Sequence, residues 1–497
     1  MARVWHILVV LLAVATAVGC AGTGSADEPG LDDPPLSTRS PFDALPEELR
    51  AVMDKPFTGD LDELVARRMI RAGVTFNRTH YFVDEGEQRG LTYESLRLFE
   101  DDLNKELKTG NLRVHVVFVP MPREQMYPAL ASGKVDLVAA MVTVTPEREK
   151  LVAFSEPTRT NVSEVVVTGP GAPPLATVDE LSGREVFIRK SSIYAESVAA
   201  LNARFEAMGK DPVIIKAAPE ALEDDDLLEM VNAGLVQATI VDDYLADFWA
   251  TVFTGLTVHR DVTVRSGGTL AVAMRKESPK LRAAVNEWIG KHGKGDAFRN
   301  VVERRYLDGG NYAKSAASEA ERKKFLAVVD LFRKYSAEYK VDPLLMAAQG
   351  YQESTLDQNV SSPVGAIGVM QVMPRTGREL AVGDIRKLEP NVHAGVKYMR
   401  FMMDQYYADE PMNELNRQLM TFASYNAGPG RVRQLRREAE KRGLDPNVWF
   451  GNVERIASEK IGRETVTYVS NIYKYYIAYS LLAEQAQQRE MAKARIR

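Results

Sequence analysis

The sequence predicts a multidomain protein in which a two-lobed α/β domain is followed by an all-α domain. The chain has 497 residues, which exceeds the size of one ordinary domain. Between about Leu61 and Leu307, short β-rich runs alternate with helical stretches, a pattern typical of α/β folds with largely parallel sheets. From about Arg322 onward, apolar residues recur at helical spacing and no convincing strand is visible in the sequence.

Changes in composition set the expected domain boundaries. The stretch from Ala21 to Pro46 is rich in Gly, Ser, Asp and Pro and lacks apolar periodicity, which predicts a flexible tether. A second stretch after Tyr306, LDGGNYAKSAASEAE, has the small residues of a linker. We expect five segments: a signal peptide at 1–20, a tether at 21–60, the α/β domain at 61–308, a linker at 309–321 and the all-α domain at 322–497.

The N-terminus has the features of a secretion signal. Arg3 precedes an apolar run, ILVVLLAVATAV, that is too short to span a bilayer comfortably. The run ends at Cys20, the only cysteine, which can form no internal disulfide and could be an incidental thiol. Its position after small residues resembles the bacterial lipobox, although Ala17 stands where leucine is usual. This resemblance implies a lipid-modified cysteine, and Ala21 after it implies sorting to the outer membrane of a Gram-negative cell.

Composition indicates a soluble globular protein and excludes some classes of function. Hydrophobic residues make up 45% of the chain and charged residues 26%, with a net charge of -5. A nucleic-acid-binding protein normally carries a strongly basic domain, so nucleic acid is not an expected partner. The six histidines lack the spacing of metal ligands on one helical face. Neither a metal nor an organic cofactor is therefore expected.

One segment of the α/β domain, VDLVAAMVTVTPEREKLVAFSEP, has the features of an anion-binding site. Thr145 can cap a short helix that begins at Pro146, which leaves backbone N–H groups free to meet an anion. Arg148 follows in the first turn, where a guanidinium is suited to hold a carboxylate through two hydrogen bonds. The alternative is a surface arginine paired with Glu147 or Glu149.

This segment resembles the T-x-x-R element of type 3 periplasmic solute-binding proteins, and the resemblance extends over the whole domain. In that family the arginine, here Arg148, grips the α-carboxylate of the ligand. The run IRKSSIYAES resembles the second-lobe loop whose hydroxyls meet the ligand, here Ser191 and Ser192. The run IVDDYLADF resembles the element whose aspartate receives the α-ammonium group, which indicates Asp242, with Asp243 as an alternative. The resemblance implies an amino acid or a short peptide as ligand.

In the all-α domain, the segment VDPLLMAAQGYQES predicts a helix that ends near a single carboxylate. Asp342 is a suitable N-cap and Pro343 a suitable first residue, which puts Glu353 at the C-terminal end. Near the negative end of the helix, and partly desolvated, this carboxylate should have a raised pKa, as a general acid requires. The alternative is an exposed glutamate at a helix end. The next run, SSPVGAIGVMQVMP, combines small residues with Gln371, an arrangement that suits a sugar.

Four motifs in order resemble the lytic transglycosylases of the soluble type, which have a lysozyme-like fold. The first motif is the Glu-Ser pair, and the second combines a serine nine positions after the glutamate with the run GAIGVMQ. The third and fourth are the runs ASYNAGPGRV and ETVTYVSNIYKYY. Val466 departs from the arginine common in the last motif. The resemblance implies that the acid is oriented by Tyr468. It also implies that the sugars are bound by Ser354, Ser362, Gln371, Tyr425 and Asn426.

A single glutamate can serve the reaction that this resemblance implies. Glycosidases usually need two carboxylates, and Asp357 is the nearest candidate for a second one. Peptidoglycan can supply its own nucleophile, because the C6 hydroxyl of N-acetylmuramic acid can attack C1 of the same ring. Glu353 would then act first as acid and afterwards as base, and a 1,6-anhydro ring would form. A hydrolytic muramidase that uses a second carboxylate is the alternative.

The order of the two domains resembles the membrane-bound lytic murein transglycosylase F family. The resemblance implies a peptidoglycan-remodelling lipoprotein of the periplasm, with glycan strands as substrate and the membrane as anchor site. It also implies that a muropeptide or amino-acid ligand binds the first domain and that closure of its lobes regulates catalysis. A solute-binding lipoprotein with an inert helical appendage is the alternative from a different functional class.

Overall fold

The computed structural model describes residues 40, 42–43, 45–84, 86–293, 296–308 and 319–496. The predicted signal peptide, Cys20, the first part of the predicted tether and most of the predicted linker lie outside the described residues. Within the described ranges, no helix is both long enough and apolar enough to span a bilayer.

The strands of the described residues all lie in the first domain. They are β1 Met69–Val74, β2 Phe82–Asp84, β3 Glu87–Arg89, β4 His115–Pro120, β5 Leu137–Thr143, β6 Ala153–Phe154, β7 Arg159–Thr168, β8 Glu185–Arg189, β9 Ile214–Ala218, β10 Ala238–Asp242 and β11 Thr257–Met274. Helices before the predicted linker are α1 Glu47–Met53, α2 Leu61–Ala66, α3 Leu91–Glu106, α4 Arg123–Ala131, α5 Pro146–Glu149, α6 Ile193–Ala207, α7 Asp224–Asn232, α8 Asp243–Ala250, α9 Pro279–Lys291 and α10 Ala297–Glu303.

The second domain is helical throughout its described part. Its helices are α11 Glu319–Tyr339, α12 Pro343–Ser354, α13 Pro374–Glu379, α14 Leu388–Tyr407, α15 Glu414–Ala427, α16 Pro429–Lys441, α17 Glu454–Lys460 and α18 Arg463–Ile496. Their core includes Phe332, Met346, Phe422, Trp449 and Ile472, all fully buried. The predicted class, an α/β domain followed by an all-α domain, is confirmed.

The main sheet has the strand order β10-β7-β11-β5-β1-β4, with β6 paired to β11. β1 is parallel to β4 and β5, whereas β7, β10 and β11 pair antiparallel. The expectation of largely parallel sheets is therefore wrong for β7, β10 and β11, whereas β8 and β9 form a separate parallel pair. The physical reason is the long strand β11. Its first part pairs antiparallel with β7, and its last part, Leu270–Met274, pairs antiparallel with β5.

Two separate hydrophobic cores divide the α/β domain into the expected lobes. The first contains Ile70, Val116 and Leu103, where β1 and β4 pack against α3. The second contains Ile188 and Trp249, where β8 and α8 pack together. Because each lobe has a core of its own, the space between the lobes is available for a ligand.

The predicted tether is wrong over its last part. Phe42, Leu45, Leu49 and Met53 are each no more than 2% exposed and join the core of the all-α domain. Leu49 and Met53 are four residues apart and share one face of α1, which is the spacing of a buried helix rather than of a tether. Pro46 immediately before α1 hides this pattern in the sequence.

The two domains are joined by a buried contact between β1 and α17. Arg68, just before β1, donates from Nη1 and Nη2 to the Oε2 and Oε1 atoms of Glu454 at 2.5 and 2.8 Å. The Glu454 side chain is fully buried and that of Arg68 is 19% exposed. A second hydrogen bond also joins the two domains. The Tyr479 hydroxyl of α18 donates to the Gly86 carbonyl at 2.5 Å.

Breaking the Arg68–Glu454 pair is expected to destabilise the all-α domain. Arg68→Met leaves the Glu454 carboxylate buried without its cation, which costs about 3 kcal/mol. Thermal unfolding should show a lower Tm for Arg68→Met than for the wild type. Arg442→Met removes an exposed arginine whose partners are Glu438 and Glu459, and should leave the Tm nearly unchanged. Equal Tm values for both variants would contradict the structural role of the pair.

Candidate active site and ligand cleft

Local sequence signals fix where α12 begins and ends. The Asp342 Oδ1 atom accepts hydrogen bonds from the N–H groups of Leu344 and Leu345 at 2.8 and 3.0 Å, and Pro343 is the first helical residue. The helix stops after Ser354 because Thr355 adopts the left-handed conformation, with φ of 54°. Glu353 therefore lies in the last turn, as the sequence predicts.

Glu353 lies beside two phenols. The Tyr468 hydroxyl of α18 donates a hydrogen bond to Glu353 Oε1. Burial raises the pKa of Glu353 to about 7, and the hydrogen bond from Tyr468 offsets part of this rise. The pKa of Tyr425 is raised well above its usual value by burial and then by the nearby Glu353 charge. A carboxyl group with a pKa near neutrality can both donate and accept a proton in one cycle.

The loop after α12 is held by its own side chains. Ser362 Oγ accepts from the Ala366 N–H at 3.0 Å. Gln371 Nε2 donates to the carbonyls of Gly368 and Val360 at 2.8 and 3.2 Å. Gly368 has φ of 75°, and an added Cβ would lie 2.3 Å from the Gln358 side chain, so the turn requires glycine. These bonds hold Ser362 and Gln371 on one stable loop beside α12.

Helix α15 contributes the next two predicted residues. The Tyr425 hydroxyl donates to the Met370 carbonyl at 2.8 Å and so ties α15 to the loop. Asn426 Oδ1 accepts from the Thr465 hydroxyl at 2.6 Å, which joins α15 to α18. Both side chains are partly exposed. The structure thus brings residues from α12, the loop, α15 and α18 into one region around Glu353.

The position of Ser354 differs from the predicted role. Its side chain is 7% exposed, and its hydroxyl donates to the Val369 carbonyl at 3.0 Å. The hydroxyl therefore fastens the end of α12 to the glycine-containing loop, and a bond to this backbone replaces the expected contact with a sugar. Val466 is 1% exposed and belongs to the core, so this position offers no substrate contact.

Asp357 is unsuited to be a second catalytic carboxylate. It is exposed, and its Oδ1 atom accepts from the backbone N–H and the side-chain amide of Asn359 at 2.8 and 3.0 Å. These bonds form a local turn on the surface. The alternative that the sequence left open, a polar residue in the loop leaving the helix, describes this position.

In the α/β domain, the four predicted ligand residues line one cavity of about 50 Å³. Their backbone elements come from both lobes, because Arg148 belongs to α5 and Asp242 ends β10. Other lining side chains were not predicted. They are Arg123, Tyr127, Arg189, Tyr194, Asp224 and Tyr244.

The Arg148 side chain extends from the first lobe and contacts the second. Thr145 caps α5 as predicted, since its Oγ1 atom accepts from the Arg148 N–H at 3.2 Å. The guanidinium donates to Glu196 of α6 at 2.9 Å. The expected alternative partner Glu147 pairs instead with Lys150. Arg148 therefore faces the second lobe rather than solvent.

The second lobe presents hydroxyl and carboxyl groups to the same cavity. Ser192 caps α6 by accepting from the Ala195 N–H at 3.3 Å, and Ser191 donates to Glu220. Burial raises the pKa of Asp242 well above its usual value, and the charges of Asp224 and Glu164 add to this rise. Asp243 instead accepts from the Ser163 N–H at 3.2 Å, which turns it toward β7. Between the two aspartates, Asp242 is the one that lines the cavity.

Sequence reasoning missed two further ion pairs at the cavity, the first between the lobes and the second within the second lobe. Arg123 of α4 pairs with Glu223 at 3.1 Å, and Arg189 pairs with Asp224 at 2.6 Å. The acidic run EDDD at the start of α7 was the available signal. Its carboxylates are buried, which for acidic residues requires nearby cations.

Two family models match the chain in the expected order. Residues 70–304 match the model of bacterial extracellular solute-binding proteins, family 3, and residues 330–447 match that of the transglycosylase SLT domain. A curated relative, membrane-bound lytic murein transglycosylase F of Pseudomonas fluorescens, is 28% identical over 448 residues. The alignment covers 86% of this chain and 87% of the relative. The chain therefore carries a family 3 solute-binding domain followed by a transglycosylase SLT domain, and over most of its length it is similar to the membrane-bound lytic murein transglycosylase F proteins.

The SLT domain and the similarity to transglycosylase F relatives make the chain a lytic transglycosylase enzyme, not an inert binding protein. The relative of the same name from Pseudomonas syringae pv. tomato is also 28% identical, with 86% of each chain covered. Among solved structures, a substrate-binding protein of an ABC uptake transporter from Streptococcus pneumoniae, with bound histidine, is 17% identical with a TM-score of 0.42. It covers 51% of this chain and 98% of its own. That similarity is too low to indicate the ligand of this chain.

Proposed function

We propose that the enzyme cleaves the β-1,4 bond between N-acetylmuramic acid and N-acetylglucosamine of peptidoglycan and leaves a 1,6-anhydromuramoyl end. The observation that carries this proposal is the Tyr468–Glu353 hydrogen bond, on a carboxyl group with a pKa of about 7. Asp357, the nearest second carboxylate in the sequence, is exposed and bound to Asn359. One carboxyl group that is half protonated near neutrality suits a reaction whose nucleophile comes from the substrate.

In the proposed reaction, Glu353 donates a proton and ends with a proton again. Protonated Glu353 gives its proton to the glycosidic oxygen as the bond from that oxygen to C1 breaks. The C6 hydroxyl then attacks C1 of the same ring, and the Glu353 carboxylate takes the hydroxyl proton. Tyr468 holds one carboxyl oxygen throughout, which leaves the other oxygen for the substrate. No water enters the products.

The product identifies the reaction. Purified peptidoglycan is incubated with the chain lacking residues 1–20, and the released fragments are measured by mass spectrometry. Anhydromuramoyl ends support the proposal. Reducing ends, which contain one more water, would instead require a hydrolase with a second carboxylate.

We also propose that the enzyme is a periplasmic lipoprotein anchored through Cys20 to the outer membrane. The names of the relatives, which describe them as membrane-bound, and the lipobox-like sequence support this proposal. Fractionation of Gram-negative cells that produce the full chain tests it. Recovery in the outer-membrane fraction is expected, and release as soluble periplasmic protein would contradict the anchor.

The first domain is proposed to bind an amino acid or the peptide stem of a muropeptide. Arg148 supplies a cation for a carboxylate, and an ammonium group would favour ionisation of the Asp242 carboxyl group, with Ser191 and Ser192 beside them. Arg148 now pairs with Glu196, whose side chain is 47% exposed. A ligand carboxylate would take the place of Glu196 in this pair, because both present the same oxygen acceptors.

Lobe closure is proposed to regulate catalysis through α18. Near its start, this helix carries Tyr468, which is bonded to Glu353. Near its end, Arg489 and Lys493 pair with Asp226 of α7 at 2.5 and 2.8 Å. Asp226 lies two residues after Asp224, which lines the ligand cavity. Because α18 contacts both Glu353 and the helix that carries Asp224, a movement of the second lobe would bias the position of the catalytic phenol.

Arg148→Met tests the ligand site and the coupling together. Loss of the guanidinium is expected to weaken binding of a purified stem tetrapeptide by about 30-fold or more, and to abolish any effect of that peptide on turnover. Calorimetric titration and a turnover assay measure the two effects. Arg260→Met is the matched control, because Arg260 pairs with Asp247 on the exposed surface. Turnover that is unchanged at saturating peptide in the wild type would contradict the coupling.

A further inference from the structure

A buried amide lies behind the catalytic phenol. Gln349 belongs to α12, one turn before Glu353, and its side chain is fully buried. Its Nε2 atom donates to the Tyr468 hydroxyl oxygen at 3.2 Å, and the same hydroxyl donates to Glu353. The three side chains thus form one chain of hydrogen bonds that runs from the amide to the carboxyl group.

We propose that Gln349 is a positioning residue that directs the Tyr468 hydroxyl toward Glu353. A phenol has one hydrogen to donate and an oxygen that can accept. When the amide N–H occupies the accepting side, the phenol hydrogen is left for the carboxyl group. Without the amide, the hydroxyl can rotate away from Glu353. This inference rests on the proposed function, in which the orientation of Glu353 decides turnover.

The unpartnered side of the amide supports a role in catalysis rather than in stability. Gln349 Oε1 is buried and has no hydrogen-bond partner among the described residues. Such a group usually lowers stability, because its interaction with water is lost and not replaced. A methionine of similar shape would remove this unpaired oxygen. The amide therefore contributes little that folding needs, whereas its N–H group contacts the catalytic phenol.

The electrostatic surroundings of Glu353 also support a positioning role for Gln349. The titratable groups that face Glu353 are Tyr468 on α18 and Tyr425 on α15. Burial and the Glu353 charge raise the pKa of Tyr468 well above its usual value, and the bond from Gln349 acts in the opposite direction. Donation from Gln349 thus makes the phenol a better hydrogen-bond donor to the carboxylate.

Gln349→Met is expected to lower kcat by about 10-fold, because the phenol loses its fixed direction. A weaker bond from Tyr468 stabilises the Glu353 carboxylate less, so the pKa of Glu353 should rise. The alkaline limb of the pH profile of turnover should therefore move to higher pH. The Tm should be unchanged or higher. Turnover of peptidoglycan over a range of pH and thermal unfolding provide these readouts.

Two comparisons distinguish a positioning role of Gln349 from a packing role. Gln88→Met is the matched control, since buried Gln88 accepts from the Tyr81 hydroxyl at 2.8 Å in the first domain; its turnover and pH profile should match the wild type. In a Tyr468→Phe background, Gln349→Met should have no further effect on kcat. An equal loss in both backgrounds, or a wild-type pH profile for Gln349→Met, would overturn the inference. Absence of anhydromuramoyl product from the wild type would instead refute the proposed function.

Discussion

Replacing Glu353 with glutamine is expected to lower turnover of peptidoglycan by about 10⁴-fold. An amide of the same shape can neither protonate the glycosidic oxygen nor take the C6 proton, and general acid–base catalysis contributes up to about this factor. Because the reaction needs both roles from one residue, no partial activity should persist. Release of soluble fragments from peptidoglycan measures the effect.

The same variant should keep its fold, and its stability should respond to pH in a defined direction. Burial raises the pKa of Glu353 from 4.5 to about 7. A raised pKa means that the wild type loses stability as pH rises through this interval, since the unfolded chain ionises first. Glu353→Gln should therefore have a higher Tm than the wild type above neutrality and an equal one near pH 4.

Glu379→Gln is the matched control for this replacement. Glu379 ends another helix of the same domain, is exposed and pairs with Arg375. It should keep wild-type turnover. If Glu353→Gln retained a substantial share of turnover, a different acid would have to be sought.

Replacing Tyr468 with phenylalanine is expected to lower kcat by about 30-fold. A hydrogen bond to a charged group contributes about 2 kcal/mol, which is close to this factor in rate. The bond lowers the pKa of Glu353, so its loss should move the alkaline limb of the pH profile to higher pH. Turnover measured across neutral and alkaline pH gives both quantities.

Tyr473→Phe is the control for the loss of a buried phenol on the same helix. Tyr473 packs edge-on against Phe450 in the core and has no contact with Glu353 among the described bonds. Its pH profile should match the wild type. A Tyr468→Phe variant with normal kcat and an unmoved alkaline limb would contradict the role of the phenol.

Local sequence signals predict the catalytic helix but not its partners. Asp342 and Pro343 define the start of α12, and its length puts Glu353 in the last turn. Tyr468 is 115 residues away, and no local rule connects the two; only resemblance indicated the pair. The buried Gln349 carried no signal, because a polar residue in a helix is usually taken as exposed.

Long-range ion pairs explain the other differences from prediction. Arg489 and Asp226 are 263 residues apart, and each has the sequence appearance of a solvated charge. The docking of α18 on the second lobe therefore could not be predicted from periodicity. β11 is hard to recognise in the sequence for a different reason, since Gly267 and Gly268 interrupt its strand pattern, and Gly268 lies directly against the Val162 backbone.

The central claim is that the substrate supplies the nucleophile and water does not. The most direct test is to digest purified peptidoglycan with the chain lacking residues 1–20 in water enriched in heavy oxygen, and to measure the new muramoyl ends by mass spectrometry. The account expects anhydro ends without heavy oxygen. Heavy oxygen at C1 of the new ends would contradict it, because water would then have attacked with the help of a second carboxylate.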